Sequence, residues 1–423
     1  MPHQIALTVK ADVLPGRADA LRQLLNAIGE ECRRAELLPF EELPVHFARF
    51  FLLDEAHDLK GAVIPAALVF LSDVDAPLHQ YLSRLAARAG PGLDQIFSHC
   101  EGYPQGPDVI PQERVRYLQA RMVRSATVYV NTVGRSLEQV RAEARLREAV
   151  EDFLDRPPVP APGTPAGVWD HVQRQVAADP TLTWATQPAS RPGAAWRLRQ
   201  GAHLLAAPLA VLVALPLILP LLPFWLILLR IREKRDPARR LVPDPAHVEQ
   251  LAAREDKVVQ NQFAAVGFLK PGPFRRLTLS VVLWVVNYTT RHVFNHGSLA
   301  GVRTIHFARW TFIDEKRRLI FASNYDGSLE SYMDDFIDKV AWGLNAVFSN
   351  GVDFPRTNWL VRDGARDELA FKNLLRVRQV DTPIWYSAYG DLTAMNVANN
   401  AAIRAGLSGA MSADQAAVWA GRI

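Results

Sequence analysis

VHFARFFLLDE at Val45–Glu55 and IHFARWTFIDE at Ile305–Glu315 are two versions of one segment. His, Phe, Ala, Arg, Asp and Glu coincide, set in apolar runs that read as strands. A second block follows at a constant offset of 251 residues, with no gap, from Phe70–Pro104 against Phe321–Pro355. Ser72 matches Ser323, Asp75 matches Asp326, Tyr81 matches Tyr332, and Phe97-Ser98 matches Phe348-Ser349. Two blocks in the same order make the halves duplicates, and a repeat of this length decides the fold.

Working outward, each half gives the same element series. The first reads as a strand at Gln4–Val9, a helix from Pro15, strands at His46–Asp54 and Ala66–Ser72, and a helix at Pro77–Ala89. A strand at Ala126–Val130 and a helix from Ser136 close it. The second reads as a strand at Gln262–Leu269, an apolar helix at Phe274–Phe294, and strands at Ile305–Asp314 and Arg318–Ser323. A helix at Leu329–Phe348, a strand at Ile384–Tyr389 and a helix at Leu392–Ala405 complete it. The expected class is α+β: two ferredoxin-like βαββαβ units packed as a pseudo-symmetric α/β barrel. Residues 1–155 form the first unit, 156–202 a Pro-rich linker, 203–240 a hydrophobic anchor with basic flanks, and 241–423 the second unit.

The anchor is the strongest compositional event. Leu204–Leu229 runs 26 residues without a charge, about 39 Å as a straight helix. Pro208, Pro216, Pro220 and Pro223 each remove an amide donor, which predicts a broken, re-entrant or interfacial segment. Basic residues flank both ends, Arg191, Arg197 and Arg199 before and Arg230, Arg232, Lys234, Arg235, Arg239 and Arg240 after. Positive charge on both sides suits two ends on the same anionic, cytoplasmic face. Packing the two units' open sheet faces together likewise requires both on one side of the bilayer.

The remaining composition excludes more than it selects. Of 423 residues 49% are hydrophobic and 22% charged, which excludes a largely disordered chain, and a net charge of +4 gives no field for nucleic acid. Two cysteines, Cys32 and Cys100, exclude a disulfide scaffold, and the start MPHQIALTVKADV predicts no signal peptide. There is no GxSxG elbow, P-loop or dinucleotide fingerprint.

ALTVKADVLPGRADALRQLL, from Ala6, resembles the opening strand and helix of the dimeric α/β-barrel superfamily. That superfamily includes antibiotic-biosynthesis-type monooxygenases, chlorite dismutases and dye-decolorizing peroxidases. The last two duplicate the ferredoxin-like unit and hold haem between sheet and helices, so the resemblance implies a haem oxidoreductase and is compatible with a homo-oligomer. Asn324-Tyr325-Asp326-Gly327 is similar to the peroxidases' Gly-rich motif in its last two residues. The peroxidases' proximal His lies downstream of that Asp, where this sequence has none.

For chemistry, His306 and His46 head the repeated strand, with Arg309 and Arg49 three residues on. Alternation places His306 with Ala308 and Trp310, and Arg309 on the opposite face. The expected partners are Asp326 for Arg309 and Asp75 for Arg49. Candidate catalytic residues are Arg309, Asp326, Tyr325 and His306; candidate ligand-binding residues are Asn324, Tyr386, Asn399 and Arg404. His292 and His296, four apart near a helix end, with His306 ten on, have a spacing that can ligate a metal. The reading is a membrane-associated oxidoreductase, peroxidase- or monooxygenase-like, with an inter-repeat cavity for a hydrophobic or lipid-derived substrate. The alternative is a non-catalytic membrane-bound ligand-binding or scaffold protein.

Overall fold

The computed structural model describes residues 4–106, 109–155, 163–188, 193–237 and 239–423. Arg156–Pro162 of the expected linker and Arg191 of the basic flank lie outside the described residues. The first half comprises β1 (Gln4–Asp12), α1 (Ala18–Ile28), α2 (Glu31–Leu37), β2 (Val45–Leu53), a small hairpin β3 (Ala56–His57) and β4 (Val63–Ile64), and β5 (Ala67–Asp75). It continues with α3 (Leu78–Arg88), α4 (Gly90–Phe97), α5 (Pro111–Ala120), β6 (Thr127–Val130) and α6 (Leu137–Asp155). Between the halves lie α7 (Pro165–Ala178), α8 (Ala194–Arg235) and α9 (Pro245–Ala252). The second half comprises β7 (Gln260–Phe268), α10 (Pro273–His292), β8 (Ile305–Ile313), β9 (Arg318–Asp326), α11 (Leu329–Phe348) and a hairpin of β10 (Thr357–Asn358) and β11 (Arg362–Asp363). It ends with α12 (Glu368–Arg378), β12 (Ile384–Ser387), α13 (Ala394–Leu407) and α14 (Ala413–Ala420).

The fold is mixed α+β with two main antiparallel sheets, ordered β1-β5-β2-β12 and β6-β8-β9-β7. Neither sheet closes into a barrel. They pack face to face through side chains: Phe51, Leu53, Val69 and Leu71 of one meet Ala264, Ile313, Ile320 and Ala322 of the other. Each sheet's outer face carries its own helices over a separate core.

Strand order corrects the sequence reading of two self-contained units. β6 belongs to the first half by sequence yet pairs with β8 of the second, and β12 of the second pairs with β2 of the first. The crossing is made the same way twice. Val123 N–H donates to Thr8 O (2.9 Å) at the edge of the first sheet, and Ala126 N–H then donates to Trp310 O (2.8 Å) in the other. Val380 N–H donates to Ala264 O (2.8 Å) before β12 enters the first sheet. After the exchange, α6 and α13 lie against each other, joined by Arg404 donating to Glu143 (3.3 Å). α7, inside the expected linker, packs with them and α14 through Trp169, Val172, Ile403 and Trp419.

A repeated bulge overturns the expected alternation. Ile305 pairs with Tyr325 but Phe307 pairs with Asn324, so His306 is the extra residue; His46 occupies the same place between Val45 and Phe47. A bulge turns one side chain without reversing the strand. Ile305, Ala308 and Trp310 therefore share the helix-covered face, while the His306 ring sits 5.5 Å from that of Phe47 across the sheets.

The anchor is one unbroken helix. α8 runs 42 residues, about 63 Å, through all four prolines, with no residue of its apolar window buried. It lies antiparallel along α10. His203 Nδ1 is 2.9 Å from His292 Nε2, the Tyr288 hydroxyl donates to Leu204 O (3.0 Å), and Trp225 Nε1 donates to Thr278 (3.1 Å). At its far end Glu233 is fully buried and accepts from Thr357 (2.9 Å) and from the amides of Trp359 (3.0 Å) and Leu360 (2.7 Å). The expected break does not occur: the helix continues through the prolines, with contacts to the body at both ends.

Candidate functional site

The two sheets meet on a buried polar seam. Arg49 crosses to the opposite sheet, donating to the carbonyls of Phe263 (2.9 Å) and Ser323 (2.9 Å), to Gln262 (3.2 Å) and to the Asn324 side-chain oxygen. Arg309 crosses the other way to the Leu7 carbonyl, Thr8 (3.4 Å) and Asp73. The expected pairs Arg309–Asp326 and Arg49–Asp75 do not form. In register Arg309 lies opposite Ala322, and Asp326 is four residues further along, about 13 Å away.

Asp73 and Asn324 occupy equivalent positions, so the seam holds two guanidinium groups and one carboxylate. The Asn324 amide donates to Asp73 (3.3 Å) and its oxygen also accepts from Trp385 Nε1 (3.1 Å). Burial, reinforced by the charge of Arg309, pulls the Arg49 guanidinium down to about 9, which leaves it charged at neutral pH.

At one end of the seam stand two His–Asp dyads. His46 Nε2 is 3.2 Å from Asp75 and His306 Nε2 is 2.7 Å from Asp326. Each carboxylate's other oxygen accepts a backbone amide at a helix start: Leu137 of α6 for Asp75 (2.9 Å) and Ala394 of α13 for Asp326 (2.8 Å). These are the helices that follow the exchanged strands, so each dyad ties a helix back to the sheet its strand left. Tyr389 lies between the imidazoles, its hydroxyl 3.0 Å from His46 Nδ1. The assignment that satisfies both His46 nitrogens has Nε2 donating to Asp75 and Nδ1 accepting from Tyr389. The dyads' hydrogen bonds are thus engaged in holding chain segments together.

Cavity sizes separate binding from bracing. The space beside His46, His306 and Tyr389 is about 20 Å³, room for a water molecule. The space between the second sheet and its helices is about 60 Å³, lined by Ala265, Phe321, Phe348, Phe371 and Arg378 among others, with no His, Cys, Met or Tyr. Sites for cofactors occupy ~300 Å³ or more. Neither space fits a haem, and the second offers no axial ligand.

The open volumes lie outside. A cleft of about 610 Å³ has Asp75 and Tyr81 in its wall, with Glu42, Glu138, Arg84 and Arg145 around it. Through Asp75 it touches the first dyad. The chain matches no protein-family model, no curated protein and no solved structure.

The sequence candidates divide into two groups. Arg309, Asn324, His306 and Asp326 belong to the seam and its dyads. Tyr325 faces the helices instead, stacked on Tyr332 (3.9 Å), its buried hydroxyl without a partner and pushed well above the usual phenol range by burial. Tyr386 faces the first half's core beside Phe40, with Arg141 donating to its hydroxyl (3.4 Å). Asn399 donates to the Arg422 carbonyl (2.7 Å), and Arg404 binds Glu143. His292 pairs with His203, His296 is exposed in the loop beyond, and no group of three metal-type side chains occurs among the described residues. Burial pushes the Cys100 thiol up to about 12, which suits a packing role.

Asp73, Tyr389 and the cleft arginines were missed. For Asp73 a signal existed: the constant offset aligns it with Asn324, itself a candidate. Tyr389 has no counterpart in the aligned blocks, and nothing in the sequence places it between two histidines 343 and 83 residues away.

Proposed function

We propose that the protein is a membrane-surface protein whose two halves lie on one, cytoplasmic, side of a bilayer, held in one leaflet by α8 and α10 and presenting a ligand-binding cleft to water. The observation that carries this reading is that an 18-residue apolar window of α8 has no buried residue while both ends of the helix are tied to the body. α10 adds a matching stripe, Leu277, Val281, Trp284 and Val285, on the face opposite its buried Leu279 and Leu283. A helix docked lengthwise on a polar body cannot stand across the bilayer without drawing that body in, whereas lying in the interface buries its apolar side. The basic residues at both ends would meet the same anionic surface.

The finer fold reading, two copies of a ferredoxin-like unit with exchanged fourth strands, is supported by contacts that recur. The Tyr81 hydroxyl donates to Ser72 (3.1 Å) and that of Tyr332 to Ser323 (2.8 Å). Both His bulges and both Asp–helix contacts recur as well.

Vesicle flotation tests the membrane reading. The protein should float with liposomes, and Leu277→Asp with Trp284→Asp should weaken flotation while leaving the circular dichroism spectrum unchanged. Failure of the parent protein to float would overturn it. A second reading, an oxidoreductase on a hydrophobic or lipid-derived substrate, draws support from Asp75, the partner of His46, in the wall of the open cleft. A Soret or flavin absorption band in the purified protein would favour it.

A further inference from the structure

Beside the foot of the helix pair lies a second open cavity, of about 630 Å³, which the membrane reading does not itself explain. From its position and wall chemistry we infer that it receives the phosphate of an anionic phospholipid headgroup; this inference rests on the membrane reading above.

Its wall combines the first turn of α10, at Gly272 and Pro273, with Arg276, Arg317 of the β8–β9 turn, and Leu59 and Lys60 of the β3–β4 hairpin. Arg317 is paired with Asp58 (3.2 Å), so Lys60 and Arg276 supply charge against Glu315 alone. Arg276 is half-buried in the wall, and its Nε, just beneath the surface, has no hydrogen-bond partner among the described residues. No side chain caps the start of α10 among the described residues, and Gly272 and Pro273 lie in the wall, which sets the positive end of a 20-residue helix beside the cavity. A wall with one positive charge in excess, an unpartnered donor beneath it and a helix start together describe an anion site.

Its position selects a lipid over a free anion. Arg276 is followed directly by Leu277, the first residue of the exposed apolar stripe of α10. Leu59 is half exposed in the same wall, and Arg232 of α8 leans over Phe274 and stands 3.6 Å from where a side chain on Gly272 would begin. A phosphate bound here would have its acyl chains beside Leu277 and Leu59, at the level where α8 and α10 would meet the bilayer.

Flotation of the full chain with phosphatidylcholine vesicles, and with the same vesicles carrying phosphatidylserine, tests this. The parent protein should prefer the anionic vesicles. At about 1 kcal/mol per basic residue, Lys60→Gln with Arg276→Gln should weaken anionic binding about thirtyfold, while binding to the neutral vesicles persists. Arg239→Gln with Arg240→Gln removes the same charge from exposed positions outside the cavity and should weaken it much less. Excess glycerol phosphate should not compete; full competition would mean that the cavity takes a free phosphate and not a lipid. Equal losses for the two double variants would mean that the general field attracts the membrane, and would overturn the headgroup site. Equal binding of the parent to both vesicle types would also overturn it while leaving the membrane reading intact. Binding to neither would overturn the membrane reading itself.

Discussion

Arg309 of the second half donates to Asp73 of the first, and this cross-sheet pair joins segments 236 residues apart in a region closed to water. Its symmetry mate is not an ion pair: Arg49 meets the amide of Asn324. The seam therefore depends on a single carboxylate between two guanidinium groups. Asp73→Asn should cost about 3–5 kcal/mol, read as a lower urea midpoint, because both cations would then be buried without a counter-charge. An unchanged midpoint would mean that water reaches the seam.

Asn324→Asp tests why only one acid is present. The Asn324 amide touches Asp73, so the variant would bring two carboxylates together in a site where burial already raises the Asp73 carboxyl, against the pull of Arg309 and Arg49. The folded pair should hold a proton that the unfolded chain releases. The variant's stability should thus match the parent's below the ordinary carboxylate range and fall as pH rises through the raised folded value. Urea midpoints measured from pH 4 to 8 would show this, and a difference that does not depend on pH would refute it.

For Asp75→Asn and Asp326→Asn, the bracing role of the dyads gives one expectation for both. Each should lose about 1–3 kcal/mol, with faster amide exchange at the start of α6 or of α13 respectively. A variant that keeps its stability and its exchange pattern would show that its carboxylate does not hold the helix.

Glu233 tests the attachment of α8. Replacement by Ala would leave the amides of Trp359 and Leu360 without their acceptor, at about 1–3 kcal/mol for each buried group. Hydrogen exchange should rise at those two amides and at the end of α8, and stay unchanged in β1 and β5.

Asp94 gives the opposite sign of pH response from the seam. Partial burial disfavours its ionised form, but hydrogen bonds from Arg114 and Tyr103 outweigh that and hold it below the ordinary carboxylate range. Its contribution is present above that range and lost as pH falls through the depressed value. Asp94→Asn should therefore be less stable than the parent at pH 7, with the difference shrinking as pH falls through the depressed value.

The two matching blocks, the main strands and the apolar helix were legible in the sequence, because they depend on local periodicity and on similarity between segments; the short helices and both small hairpins were not. It also identified Arg309, His306, Asp326 and Asn324 as polar groups that strands of this composition would have to satisfy. Their partners were decided only in three dimensions. Arg309 was matched to Asp326 by closeness in sequence, yet a one-residue bulge at His306 directs the imidazole to Asp326, and the face-to-face packing carries the guanidinium across to Asp73. The exchange of β6 and β12 was equally hidden, since a four-residue strand carries no mark of which sheet edge it will join. For α8, four prolines argue locally for a break, whereas the helix continues through them, with contacts at His203, Trp225 and Glu233 to residues 53 to 127 positions away. Local pattern specifies which groups must be buried and paired, and long-range packing chooses the partner.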